Sequence, residues 1–131
     1  AYAKAVLAGT APKPLSGLAE AYAHRTLALA NGPREEEIIL QALRLGEVGI
    51  TSIPCEVLCE IGLTLKAQSP LPQATFTIEL ANGHNGYLPT PRQHAVGGYE
   101  TWMGTCTLEI TASVKIEKAL LSMLEKVAGK D

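Results

Sequence analysis

The hydrophobic period changes twice between residues 47 and 82, and that change limits the folds open to this chain. "EVGITSIP" (Glu47 to Pro54) is rich in β-branched residues and closed by proline, the pattern of a strand. In "EVLCEIGLTLKAQ" (Glu56 to Gln68), Val57, Leu58, Ile61 and Leu65 recur at helical spacing, with Pro54 and Cys55 at the expected helix start. "ATFTIELAN" (Ala74 to Asn82) returns to a period of two. Its alternation predicts a half-buried strand with Phe76, Ile78 and Leu80 facing the core and Thr75, Thr77 and Glu79 facing out. Strand, helix and strand in succession point to an α/β fold, with helices packed on a small mixed sheet.

The flanking segments extend that scheme. "EIILQALRLG" (Glu37 to Gly46) reads as a strand that reverses at Gly46 into the next one. "PLSGLAEAYAHRTLALA" (Pro14 to Ala30) reads as a helix capped by Ser16, with Leu15, Leu18, Tyr22 and Leu29 near one stripe and a left-handed stop at "NGP". His24 sits in it as a surface or packing histidine. The first residues look like the middle or end of another helix. "TCTLEIT" (Thr105 to Thr111) has the pattern of a short strand. "ASVKIEKALLSMLEKV" (Ala112 to Val127) has that of a helix, its apolar face formed by Val114 or Ile116 with Leu120, Leu121 and Leu124. Four strands are few for such a sheet. The expectation is therefore the C-terminal portion of a larger domain, with further strands contributed by chain outside residues 1–131.

Composition removes whole classes of function. With 47% apolar and 18% charged residues, the chain can bury a core. A net charge of −2, without any basic run, argues against a nucleic-acid surface. No apolar run reaches the length of a transmembrane segment. Cys55, Cys59 and Cys106 fit neither a zinc-knuckle nor a redox spacing and read as buried, reduced thiols.

Chemistry concentrates in two places. Glu56 lies at the junction after "SIP", the kind of strand end where open α/β sheets bind ligands. Glu60, four residues on, repels it if both share a helix face, and a solvated face accounts for the pair equally well. The second place is "ELANGHNGYLPTPRQHAVGGYETW" (Glu79 to Trp102). It holds three of the six aromatic residues, Tyr87, Tyr99 and Trp102, between glycine pairs and prolines. Disordered linkers are poor in aromatics, so an ordered loop is expected, either functional or merely capping the core. His84 and His94 are lone loop histidines without the spacing of a metal pair. No phosphate-binding loop, nucleophile elbow or dinucleotide fingerprint occurs.

Three motifs, "IPCEV" (Ile53 to Val57), "NGYLPT" (Asn85 to Thr90) and "GGYET" (Gly97 to Thr101), resemble in order and spacing the second half of the neutral ceramidase catalytic domain, and most of all bacterial ceramidase-like proteins. The resemblance runs from about Glu37 to Lys126. Cys55 replaces the glycine of the family's P-G-E segment, and the interval between Glu56 and Tyr87 is shorter than in those enzymes. The resemblance implies that Glu56 and Tyr87 are zinc ligands and that Tyr99 is a catalytic tyrosine beside the scissile group. The substrate it implies is N-acylsphingosine or a related lipid amide, hydrolysed at the amide bond. It also implies two zinc histidines and a serine on a missing N-terminal half of the domain, so that residues 1–131 alone form an inactive half-site. Export or a periplasmic location would follow from the same relatives. Two other functions share these residues: a non-catalytic binding or structural module, and a zinc hydrolase of another amide or ester.

Overall fold

A computed structural model describes residues 1–12, 17–71 and 74–129. Helices α1 (Tyr2–Leu7) and α2 (Ala19–Asn31) come first, then a hairpin of β1 (Gln41–Leu45) and β2 (Val48–Ile53). The two-residue strand β3 (Glu56–Val57), helix α3 (Cys59–Gln68) and strand β4 (Thr75–Glu79) follow. The remainder holds the short strand β5 (Tyr87–Leu88), α4 (Pro91–Val96), a 3-10 turn at Tyr99–Thr101 and the long α5 (Ala112–Val127). The α/β class is as expected: helices lie on a small mixed sheet, ordered β1-β2-β4.

The β1–β2 pair is antiparallel, closed at Leu45 opposite Val48 by a two-residue turn in which Gly46 takes a positive φ of 62°. Glycine reaches that conformation without steric cost. β2 and β4 run parallel, from Gly49 beside Thr75 to Ile53 beside Glu79. Parallel neighbours need a crossover, and α3 provides it. A second, two-stranded sheet pairs β3 with β5, also parallel.

α3 and α5 cover one face of the three-stranded sheet. Ile53, Cys55, Ile61, Leu65, Leu88, Ile116 and Leu120 form the buried cluster, with Ile38 and Leu40 packed against it. α5 occupies the expected residues and buries Ile116, Leu120 and Leu124, leaving Val114 in solvent. At the centre of the sheet Gly49 lets this layer close in, because a Cβ there would stand 3.3 Å from Leu124 and 2.7 Å from the Thr75 hydroxyl.

Several expectations are corrected. The face under the helices carries Ala42, Gly49, Thr51, Thr75 and Thr77, whereas Leu43, Ile50, Phe76 and Ile78 lie on the other. Thr75 is 2% exposed and Phe76 46%, the reverse of the alternation's prediction. Buried threonines are tolerated because their hydroxyls are bonded: Thr75 donates to the Leu71 carbonyl at 2.6 Å and lies 2.7 Å from Ser69 Oγ, and Thr51 meets Thr77 at 2.8 Å.

The helix expected from Glu56 starts at Cys59, because Glu56 and Val57 are held extended against β5. Thr105–Thr111 forms no strand: Cys106 makes only an isolated bridge with Met103, and the Thr105 carbonyl accepts a single bond from Tyr87 N–H at 3.2 Å. α2 ends with Gly32 in extended backbone rather than the left-handed stop. Ser16 and Leu15 lie outside the described residues. All three cysteines are free, but Cys59 is exposed, its thiol donating to Glu60. Burial pushes the Cys55 thiol up to about 11, consistent with an inert, protonated side chain.

Candidate metal site at the strand ends

The parallel strands β2 and β4 end on the same side of the sheet, and the segments leaving them build the site. After β2 the chain passes through Pro54 and Cys55 to Glu56. After β4 it reverses at Leu80 and Asn82, both with positive φ, and returns to Tyr87. Backbone hydrogen bonds stitch the two exits together: Leu80 N–H donates to the Cys55 carbonyl at 3.1 Å, Ala81 to Ile53 at 3.2 Å, Asn85 to Pro54 at 2.7 Å and Glu56 to Gly86 at 3.0 Å.

Glu56 and Tyr87 are consequently direct partners across the β3–β5 bridge. Residues opposite one another in a sheet point their side chains to the same face, so the carboxylate and the phenol stand together. Gly86 makes this possible. It has a φ of 74°, and a Cβ there would sit 2.6 Å from the Thr105 carbonyl, the same carbonyl that accepts from Tyr87 N–H at 3.2 Å.

The electrostatics follow from that pairing. Glu56 is held below the usual carboxylate range, first by the hydrogen bond from the Tyr87 phenol and then by His84. Tyr87 is pushed up to about 12, because ionising it would break its bond to Glu56 and place two negative charges together. His84 Nε2 lies 3.2 Å from Glu56 Oε1. Sequence spacing assigned His84 no metal partner. The signal was long-range: twenty-eight residues separate it from Glu56, and the turn at Asn82 to Gly86 brings it back.

Tyr99 joins from the far end of the loop. Its ring meets that of Tyr87 edge-on at 5.8 Å between centroids, and Trp102 at 5.6 Å; Trp102 in turn meets Tyr22 of α2 at 5.6 Å. The intervening chain is ordered by α4, which starts at Pro91 with a reciprocal cap. Thr90 Oγ1 accepts from Gln93 N–H at 3.3 Å, and Gln93 Oε1 accepts from Thr90 N–H at 2.7 Å. Gly97 and Gly98 then take φ values of 83° and 124° to turn into Tyr99. The loop is thus ordered, as expected from its aromatics.

Glu56, Tyr87 and Tyr99 come together, and His84 is added to them. His94 does not join: it lies on α4, its Nε2 buried without a hydrogen-bond partner. Glu60 is also separate. It opens α3, where its own backbone N–H and the Cys59 thiol hold its carboxyl below the usual range, so the expected repulsion between Glu56 and Glu60 on one helix does not arise.

A carboxylate, a phenol and an imidazole suit zinc chemically, with oxygen and nitrogen donors of the kind it takes. They are not a full set. Among the described residues no group of three or more His, Cys, Asp and Glu is placed to hold a metal ion. No described helix is long and apolar enough to cross a membrane. Comparison with protein-family models, curated proteins and solved structures found no match to this chain.

Proposed function

We propose that this chain is part of a zinc-dependent amidohydrolase resembling neutral ceramidase, hydrolysing the amide of N-acylsphingosine or a related lipid amide. The observation that carries the proposal is the side-by-side placement of Glu56 and Tyr87 across a parallel bridge, with Tyr99 edge-on to Tyr87. Three motifs separated in sequence meet at one point, as a shared site requires.

Glu56 and Tyr87 would hold the cation, and His84 stands close enough to Glu56 to orient it. Zinc, when bound, supplies Lewis-acid polarisation of the amide carbonyl and activation of water. Its positive charge would also reverse the balance at Tyr87, whose phenol stays neutral beside a bare carboxylate. Tyr99 has the role of donating a hydrogen bond to the amide oxygen as negative charge develops on it. An apolar groove of about 720 Å³, lined by Tyr2, Val6, Tyr22, Leu27, Trp102 and Met103, opens at the far end of the aromatic row and suits a hydrocarbon chain. The missing zinc ligands would come from an N-terminal half of the domain, so residues 1–131 alone would turn over no substrate.

Zinc content and amide hydrolysis, measured on the polypeptide that carries this chain with its remaining ligands, test the proposal. Glu56→Ala should remove most of the zinc and nearly all turnover, and Tyr87→Phe should lower both. Tyr99→Phe should keep the zinc and lose about 10²–10³-fold in turnover, the usual cost of one oxyanion donor. Unchanged zinc and turnover in Glu56→Ala would remove the proposal.

A further inference from the structure

Tyr99 sits on a short turn that follows Gly97 and Gly98, both at positive φ. The hydrogen bonds of that turn are local. Thr101 N–H and hydroxyl donate to the Gly98 carbonyl at 3.0 and 2.8 Å, and Trp102 N–H donates to the Tyr99 carbonyl at 3.2 Å. The Tyr99 side chain is half exposed, and its tie to the rest of the molecule is made by rings: Tyr87 and Trp102 meet it edge-on, at interplanar angles of 77° and 67°. Aromatic pairs favour that arrangement. Trp102 is itself half exposed and is gripped from α2. Its ring meets Tyr22 edge-on, and the Arg25 guanidinium lies 5.4 Å from the centre of the Tyr22 ring. The aliphatic stem of Arg25 lies against Gly104, where a Cβ would stand 2.5 Å from the Arg25 Cβ and 3.0 Å from its Cδ. α2 thus holds the chain at two points, Trp102 and Gly104. Just beyond, Thr105 and Cys106 N–H both donate to the Trp102 carbonyl at 2.9 Å, and the Thr105 carbonyl accepts from Tyr87 N–H. The segment gripped by α2 therefore touches both site tyrosines, Tyr99 through a ring and Tyr87 through the backbone.

We infer that Trp102, anchored on α2 by Tyr22 and Arg25, is the positioning residue that sets the Tyr99 phenol beside Tyr87. Its consequence for turnover rests on the role proposed above for Tyr99; the placement itself does not. An oxyanion donor works only about 2.7–3.1 Å from where the negative charge develops. A displacement of about 1 Å costs on the order of 10²-fold in rate. A half-exposed phenol on a glycine-flanked turn meets that demand only when something outside the turn fixes the ring, and Trp102 is the contact that leads away from the site to a helix. Arg25 stands at the far end of the row, with Tyr22, Trp102 and Tyr99 between it and Tyr87. Tyr22 and Trp102 also line the apolar groove, a role that is read in KM rather than in kcat.

The test uses the polypeptide that carries this chain, labelled with fluorotyrosine and followed by nuclear magnetic resonance, the Tyr99 signal being identified by its loss in Tyr99→Phe. Arg25→Ala and Tyr22→Leu should shift or broaden that signal, although both residues lie beyond Trp102 in the row. Arg25→Lys, which keeps the stem and the charge, should leave it in place. At unchanged zinc content, kcat should fall about tenfold in Trp102→Leu, the scale of one edge-to-face contact. It should fall about two- to fivefold in Arg25→Ala, the scale of one exposed cation–π contact, and recover in Arg25→Lys. Combined with Tyr99→Phe, neither Trp102→Leu nor Arg25→Ala should lower kcat further, because the phenol they place is already gone. A Tyr99 signal unmoved by both Arg25→Ala and Tyr22→Leu would overturn the inference. So would losses that multiply with that of Tyr99→Phe, or that appear in KM alone. The same samples separate the two proposals. A moved Tyr99 signal in a polypeptide that binds no zinc and cleaves no amide leaves the positioning inference standing and sinks the zinc reading; an unmoved signal in an active zinc enzyme does the reverse.

Discussion

The two faces of the central sheet are built on opposite rules. The helix-covered face carries Ile53 among small side chains, Ala42, Gly49, Thr51, Thr75 and Thr77, and the threonine hydroxyls bond to one another or to the Leu71 carbonyl. The open face presents Leu43, Ile50, Phe76 and Ile78. Small residues under α5 let Leu120 and Leu124 reach close to the sheet and bury completely. Burial is thus decided by which layer is present to close on the strand, and hydrophobicity alone does not rank the faces.

That contrast can be broken by mutation. Leu120→Ala, in the covered layer, is expected to cost about 2–5 kcal/mol by cavity formation, read as a fall in the urea midpoint with the slope unchanged. Leu43→Ala on the open face of residues 1–131 should stay within about 0.5 kcal/mol. Comparable losses at the two positions would show that the open face is already packed in this chain. Gly86→Ala comes next. It forces a Cβ toward the Thr105 carbonyl at a positive φ and should cost about 1–3 kcal/mol, with separation of Tyr87 from Glu56 visible as changed side-chain chemical shifts. Thr75→Val keeps the shape but leaves the Ser69 hydroxyl and Leu71 carbonyl short of a partner, an expected loss of about 1–2 kcal/mol. A neutral result there would mean that water replaces the lost bond.

These effects also mark what the residues alone conveyed. α5 was legible end to end because a sixteen-residue amphipathic pattern needs only its own period to be recognised. The β1–β2 hairpin was legible from Gly46. For β4 the alternation was right and its direction wrong, since the facing of a strand depends on which side the helices take, a tertiary fact. Glu56 was expected on a helix and is extended, because its partner in β5 lies thirty-one residues downstream and two-residue strands carry no periodic signal. Glu56, Tyr87 and Tyr99 were singled out through the resemblance of three short motifs, and the fold brings them side by side. His84 was not: its meeting with Glu56 is created by the positive-φ turns at Leu80, Asn82 and Gly86, which sequence periodicity does not register.

The smallest effect concerns protons. In residues 1–131 without metal, the Glu56–Tyr87 hydrogen bond depresses one pKa and raises the other. For Glu56 the folded value lies below the unfolded one, so its contribution is present above the ordinary carboxylate value and is lost as pH falls through the depressed one. For Tyr87 the folded value is about 12, raised from 10, so its contribution is complete below 10 and disappears as pH rises through 12. Between those limits a neutral phenol faces an ionised carboxylate. Tyr87→Phe should therefore move the Glu56 titration upward, toward but not fully to its ordinary value, because His84 still bonds the carboxylate. The side-chain carboxyl carbon of Glu56, followed by nuclear magnetic resonance from neutral pH downward, reads that shift. His84→Ala should give a smaller movement in the same direction. If His84→Ala moves the titration further than Tyr87→Phe, the imidazole rather than the phenol is the main partner, and the site is organised around the turn instead of the bridge.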